Sequence, residues 1–465
     1  MDSGLSWADQ WDYNSDPPPN STNEDDKKKK KKKEDGSKSS FGKTILGLKW
    51  VKELRKKSDN SPMYTGALLF YAANDSQKLV GSSSEETSKK LKKSLSETLP
   101  IFYPLAGRIM GSFVECNDEG AMFIEARVDQ LLSEFLKCSV PESLEPLIPV
   151  EAKSREAITW PVLLIQANFF SCGGLVITIC ISHKITDATS LAMFISGWSE
   201  SARGLGITSI PSFTASDFFP IPPDHHELLS KSTDHKANEV EEMECVTKRF
   251  VFDASKMKTL RAKASSNLVK NPTRVEAVTA LFWRCATKAS RSTSPTPKTS
   301  VLLIPVSLRG KVDSLPENTV GNMLSIMILK NEKAKIEGIQ DVVDELRRAK
   351  EMFSLNCKEM MKSSSTSLEY LQEIGKSYGR RNEVDMWMSN SWCKLGMYEA
   401  DFGWGKPVWV TGRGTSNFKN LMLLIDAKDG DGIEAWVTLT EEHMSRFECD
   451  EELLESASLN PSALV

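Results

Sequence analysis

The sequence predicts an α/β protein. Three features lead there. Strand-length apolar runs recur along the chain, among them GALLFYAA at 66–73, LVITICIS at 175–182 and SVLLIPVSL at 300–308. Between them lie stretches with apolar residues three or four apart, such as PTRVEAVTALFWRCATKA at 272–289, which is helical spacing. The apolar share of 40% against a charged share of 26% over 465 residues supplies a large core to a soluble chain.

Taken in order, residues 1–40 are polar, with prolines at 17–19 and seven consecutive lysines at 27–33. Like charges repel and bury no apolar area, so this stretch reads as a disordered tail. Nuclear import or an anionic surface is the functional alternative for the lysines. In residues 44–57, TILGLKWVKELRKK, Leu46, Trp50 and Leu54 form one apolar stripe among lysines and arginines. That basic helix either lies on a membrane or partner, or packs on the main body.

The globular body begins near Tyr64. After GALLFYAA comes a serine-rich, acidic helix start, with Leu91, Leu95 and Leu99 on one face and Pro100 as its stop. FVECNDEGAMFIEA at 113–126 has two apolar runs around Asn-Asp-Glu-Gly and reads as a hairpin. LVITICIS, apolar throughout, reads as a strand buried on both faces. A helix follows, with Leu191, Phe194, Ile195 and Trp198 on one side. Residues 204–245, rich in Gly, Pro, Asp and His, read as a crossover. The second half supplies the strand TKRFVFD, a lysine-rich helix, the 272–289 helix, the strands SVLLIPVSL and GNMLSIMIL, the helix GIQDVVDELRRAKEMFS, and the strands VWVTGRG, LMLLIDA and GIEAWVTLT. The division predicted is an atypical extension at 1–60, a first domain at 61–205, a linker at 206–245 and a second domain at 246–465.

Bulk properties exclude several functions. A net charge of −4 and a pI of about 5.9 argue against nucleic acid as the main partner. The nine cysteines form no CxxC and have no metal-spaced histidine, so no metal site is predicted. The acidic start is no secretory signal, and no apolar run is long enough to span a membrane. Free thiols then fit the cytoplasm, with the lysine run adding the nucleus as an alternative.

Of the five histidines, His183 alone stands at the carboxyl end of a buried apolar strand, where α/β proteins place reactive groups. Its context is CISHKITDATS, with Asp187 four residues on, at the start of the next helix. A neutral imidazole in a fixed tautomer takes a proton from an alcohol, and a nearby carboxylate braces the turn that carries it. On this pentapeptide alone two readings stand: a braced general base, or a structural histidine beside an N-capping aspartate.

Further segments narrow the choice. DFGWG occupies Asp401, Phe402, Gly403, Trp404 and Gly405. With it stand YPLAGR at 103–108, SFTASDFFP at 212–220, PTRVEAVTALFW at 272–283, NTVGN at 318–322, NSWC at 390–393 and the ending LESASLNPS. In this order they make residues 64–465 resemble the plant BAHD (HxxxD) acyl-CoA-dependent acyltransferases. The spelling of NSWC and PTRVEA is most similar to the branch with vinorine synthase and the alcohol O-acetyltransferases.

The resemblance implies a two-domain fold of chloramphenicol-acetyltransferase type with a channel between the acyltransferase domains. It implies that His183 deprotonates an acceptor hydroxyl, which attacks an acyl-CoA thioester directly. The donor implied is acetyl-CoA as co-substrate, with no permanently bound cofactor and no metal. Asp187 is then structural and pairs with an arginine, here Arg309 of VSLRG. Asn390 and Trp392 are the implied oxyanion donors, and DFGWG shapes the CoA side of the channel. The expected partners are acyl-CoA and a small-molecule alcohol, and the expected state is a monomer. Residues 1–60 do not match the family, whose early strands help build the acceptor pocket. That predicts an unpaired sheet edge and an open pocket wall. It leaves as the alternative a catalytically impaired BAHD-like binding protein with a fused N-terminal segment. For Phe402, Trp404 and Cys393 the sequence favours packing.

Overall fold

The computed structural model describes residues 64–73, 83–110, 113–149, 160–215, 245–293, 298–312, 315–331, 338–360, 384–414 and 418–463. The expected tail, the 44–57 helix, most of the crossover and His225, His226 and His235 lie outside the described residues. The first half contributes β1 (Tyr64–Tyr71), α1 (Ser84–Thr98), β2 (Arg108–Met110), β3 (Phe113–Glu115), β4 (Met122–Val128), α2 (Leu132–Lys137), β5 (Trp160–Pro161), β6 (Leu163–Phe170), β7 (Leu175–Ser182) and α3 (Ala188–Ala202). The second half contributes β8 (Cys245–Phe252), α4 (Ala254–Lys263), α5 (Arg274–Thr293), β9 (Thr299–Ser307), β10 (Leu324–Asn331), α6 (Ile339–Met360), β11 (Val384–Ser391), β12 (Trp409–Gly412), β13 (Leu421–Asp426), β14 (Ile433–Thr440), α7 (Glu441–Phe447), α8 (Glu451–Ser456) and β15 (Ser458–Leu459).

Two large open sheets, with a small third one of order β3-β2-β5, organise these elements into a two-domain α/β fold. The first runs β12-β1-β7-β6-β4 and the second β10-β9-β11-β13-β14-β8-β15. β7 sits in the middle of the first sheet, antiparallel to β1 and β6, and all eight of its residues are buried. That is why it is apolar at every position rather than at alternate ones. β12 comes from the second half of the chain yet pairs with β1 from Ala67↔Gly412 to Phe70↔Trp409. Among the described residues, the outer edges of β4 and β12 carry no further strand.

Helices cover the sheets for reasons visible in their sequences. α1 starts at a capping box, where Ser83 and Glu86 satisfy each other's backbone N–H groups. Its Leu91 and Leu95 join Phe194 and Trp198 of α3 in a core against Ile177 and Ile179 of β7. α5 and α6 cover the second sheet, packing Val278, Phe282 and Val343 on Phe250 and Leu302. A third core lies between the sheets, where Phe70 and Trp409 of the first meet Ile425 and Trp436 of the second. Each such side chain contributes about 1.5–3 kcal/mol when fully buried.

The hairpin expected at 113–126 is corrected. The reversal forms, with Asp118 at φ 57° and Gly120 at φ 79°. Its flanking strands part: β3 pairs antiparallel with β2, and β4 runs parallel to β6. Gly107 decides the first pairing, because a Cβ there would stand 2.4 Å from the Glu115 carbonyl oxygen. Arg108 holds the turn itself, its Nη1 donating to Gly120 O at 2.7 Å and its Nε pairing with Glu119 at 2.9 Å.

Candidate active site

His183 leaves the end of β7 on a tight turn. Thr186 N and Oγ1 both donate to Ser182 O, at 3.2 and 2.9 Å. The turn runs into α3, whose N-cap is Asp187. An aspartate suits that place because its oxygen accepts from an otherwise unpaired N–H of the first turn, here Ser190 N at 2.9 Å.

The Asp187 carboxylate carries more than a cap. Its Oδ2 accepts from Arg309 Nη1 at 2.7 Å and Met323 N at 3.1 Å. Its Oδ1 also accepts from Ser190 Oγ at 2.9 Å and Arg309 Nη2 at 3.2 Å. Arg309 follows β9 and completes its donors on Thr319 O at 2.8 Å and Gly321 O at 3.0 Å. The two side chains are 0% and 1% exposed, so the pair has left water entirely. A buried pair is tolerated only when its remaining donors and acceptors are satisfied, which these bonds accomplish.

The structure thus brings Asp187 and Arg309 together, with Asp187 turned into the protein rather than toward the imidazole. His183 instead meets Asn322 of the NTVGN segment: its Nδ1 lies 3.1 Å from Asn322 Oδ1, and Asn322 Nδ2 donates to His183 O at 2.7 Å. His183 is part-buried, and among the described residues its Nε2 has no hydrogen-bond partner. In the sequence Asn322 is only the last residue of the NTVGN segment, with nothing local to mark it as a partner of His183. His183 comes from the first half and Asn322 from the second, so the site lies where the halves meet.

Asn390 and Trp392 stand at and just past the end of β11. Asn390 pairs in register with Leu423 of β13, and its Oδ1 is buried with no partner among the described residues. Trp392 packs between the core of the first sheet and the core between the sheets. No hydrogen bond joins either side chain to His183 among the described residues. Cys393 is buried, and burial pushes its thiol well up, so it holds its proton and is no nucleophile.

DFGWG builds a turn. Asp401 Oδ1 accepts from the backbone N–H groups of Gly403, Trp404 and Gly405, at 2.7, 3.1 and 2.9 Å. Partial burial works against this carboxylate, but those N–H groups and Arg203 outweigh it and hold its pKa below the usual value. Gly403 takes φ 96° and Gly405 φ 104°, which favour glycine. Phe402 is fully buried against Trp198, with Trp404 stacked on it at 5.7 Å. Among the described residues, Cys285, Asp450 and Glu452 also converge. Lys288 and Arg284 already occupy those carboxylates, and burial pushes the Cys285 thiol well up.

Comparison with known proteins adds the family and the fold it belongs to. A family model described as Transferase family matches residues 58–454. BAHD acyltransferase BIA1 of Arabidopsis thaliana is 39% identical over 405 residues, 86% of this chain and 91% of that protein. The chain belongs to the BAHD acyltransferase family. This BAHD chain is also 34% identical over 390 residues to limonoid 21-O-acetyltransferase of Melia azedarach, covering 82% of this chain and 88% of that one. Among solved structures it matches vinorine synthase with a TM-score of 0.72 and 32% identity, over 86% of this chain and 92% of that one. It is an acyl-CoA-dependent O-acyltransferase with the two-domain α/β architecture of that structure. Among the described residues, no helix is long and apolar enough to cross a membrane.

Proposed function

We propose that this acyltransferase moves an acetyl group from acetyl-CoA to a hydroxyl of a small plant metabolite, with His183 as the general base. The observation that carries the reading is the imidazole itself. It stands at the end of a buried strand, held through Nδ1 and its own carbonyl, with Nε2 left without a partner among the described residues. Nε2 takes the proton of the bound hydroxyl as its oxygen attacks the thioester carbonyl. The C–O bond forms, the carbonyl becomes a tetrahedral oxyanion, and collapse breaks the C–S bond. The proton on Nε2 then passes to the departing CoA thiolate.

Asn390 and Trp392 are the proposed donors to the oxyanion. Their position at and just past the end of β11 supports this. A preorganised donor of that kind lowers a barrier by a few kcal/mol. Asp187 and Arg309 take a structural part, supported by their burial and mutual saturation. DFGWG is a structural turn on the CoA side. The O-acetyltransferase among the relatives supports acetyl as the group transferred. Free thiols at eight described cysteines suit the cytoplasm.

The test is CoA release from acetyl-CoA with a panel of alkaloid, terpenoid and aromatic alcohols. Turnover in the wild type should fall by about 10²–10⁴ in His183→Ala. Varying both substrates should give intersecting lines, since direct attack needs both bound together. Undiminished turnover in His183→Ala would overturn the base, and parallel lines would overturn direct transfer.

A further inference from the structure

We infer that Asn322 is a positioning residue: it fixes the proton of His183 on Nδ1 and passes the rigidity of the Asp187–Arg309 pair to the imidazole. The inference rests on His183 being the base. A neutral imidazole has one protonated nitrogen and one lone pair, and only the nitrogen bearing the lone pair can take a proton. Which is which follows from the partner, provided the partner's own sense is known.

Here it is known. The His183 carbonyl oxygen can only accept, so the Asn322 atom 2.7 Å from it is the N–H₂ end of the amide. The other end, 3.1 Å from Nδ1, is then the oxygen, which also can only accept. Nδ1 therefore carries the hydrogen, and the lone pair stands on Nε2. Turning the amide over would let its N–H₂ donate to an unprotonated Nδ1, but it would replace the 2.7 Å bond at the carbonyl with two oxygens set against each other.

The neighbours of Asn322 explain how it holds its place. Gly321 N donates to Ser190 Oγ at 3.1 Å, and Gly321 O accepts from Arg309 Nη2 at 3.0 Å. Met323 N donates to Asp187 Oδ2 at 3.1 Å. The residues on both sides of Asn322 are thus pinned to the N-terminal cap of α3, four residues past His183. Asp187 and the imidazole communicate through Met323 and Asn322, not by direct contact. A Cβ on Gly321 would come within 2.7 Å of Met323 Cε, so the loop is packed as well as bonded.

The experiment uses the full chain labelled with ¹⁵N-histidine, with the His183 signals assigned by their loss in His183→Gln. The wild-type imidazole should show a protonated Nδ1 and an unprotonated Nε2. Asn322→Ala should mix the tautomers and lower kcat by about 10–100-fold, less than the loss in His183→Ala, while leaving the KM for acetyl-CoA unchanged. Asn322→Asp keeps an acceptor for Nδ1 but loses the donor to the His183 carbonyl, so it should restore that tautomer and only part of the kcat. A wild-type spectrum with Nε2 protonated overturns the inference, whatever the folding of the variants. So does Asn322→Ala with an unmixed tautomer and full kcat. The spectrum reads the tautomer without turnover, so a failure of the base assignment, seen as full activity in His183→Ala, is a separate result.

Discussion

Replacing Asp187 by asparagine separates its two jobs. Asparagine caps helices as well as aspartate does, so the 2.9 Å bond from Ser190 N survives. What disappears is the charge facing Arg309, which is 0% exposed and keeps only neutral acceptors: the Thr319 and Gly321 carbonyls, Ser190 Oγ and the remaining amide oxygen. In water such a pair is worth at most about 1 kcal/mol. Out of water, removing one partner strands the other, and the cost is about 3–5 kcal/mol. That is a large part of the ~5–15 kcal/mol that holds a domain together. At about 2–4 °C per kcal/mol, Tm should fall by roughly 6–20 °C. Urea and thermal unfolding followed by circular dichroism measure it. Arg309→Gln should cost a similar amount. The double variant should lie above the sum of the two singles by about 0.5–3 kcal/mol, because it strands no charge. Additive singles, or a loss under about 1 kcal/mol, would refute the account of a fully desolvated pair.

Two further outcomes follow from buried and half-buried polar groups. Burial holds His443 below its ordinary value of 6.5, against the pull of Asp385 and Glu442, and its Nδ1 is buried with no partner among the described residues. The folded state therefore binds fewer protons than the unfolded state just below 6.5, so the stability from the neutral ring is complete above 6.5 and lost as pH falls. Urea unfolding between about pH 7.5 and about pH 5.5 should show a shallower loss in His443→Gln than in the wild type; equal slopes would reject this role. Asp401→Ala removes the acceptor of three backbone N–H groups and should cost about 1–3 kcal/mol of stability without lowering kcat. A kcat loss as deep as that of His183→Ala would instead put Asp401 in the chemistry.

Sequence patterns revealed elements better than they revealed partners. β7 was legible because burial on both faces writes itself as an unbroken apolar run, and α3 because Leu191, Phe194, Ile195 and Trp198 repeat at helical spacing. The reversal at Asn117–Gly120 was legible too, since its residues tolerate positive φ. The pairing of its strands was not, because it depends on Gly107 and on β6, far along the chain. β12 read correctly as a strand, while its place beside β1 left no local mark. At the site, the family resemblance rather than any local pattern pointed to Asp187 and Arg309, which the structure sets face to face. Asn322 escaped because its partner is 139 residues away, and an asparagine after a glycine otherwise reads as loop chemistry.

The placement of β12 has a consequence for how a cell makes this protein. β1 is among the first described segments to leave the ribosome, yet its neighbour on one side is among the last. Tyr71 donates its hydroxyl hydrogen to Ala400, 329 residues later. At about 5–20 residues per second, that interval is roughly 15–65 s of synthesis. Through it the apolar edge of β1 and the ring of Phe70 wait for Trp409, which packs on that ring at 4.7 Å. An unpaired apolar edge is what chaperones bind and what aggregates when they are scarce. Yield on heterologous expression should therefore respond to temperature and chaperone supply more than to changes in the active site. Stop codons placed before residue 409 should yield insoluble chains even when they lie well beyond the complete first half.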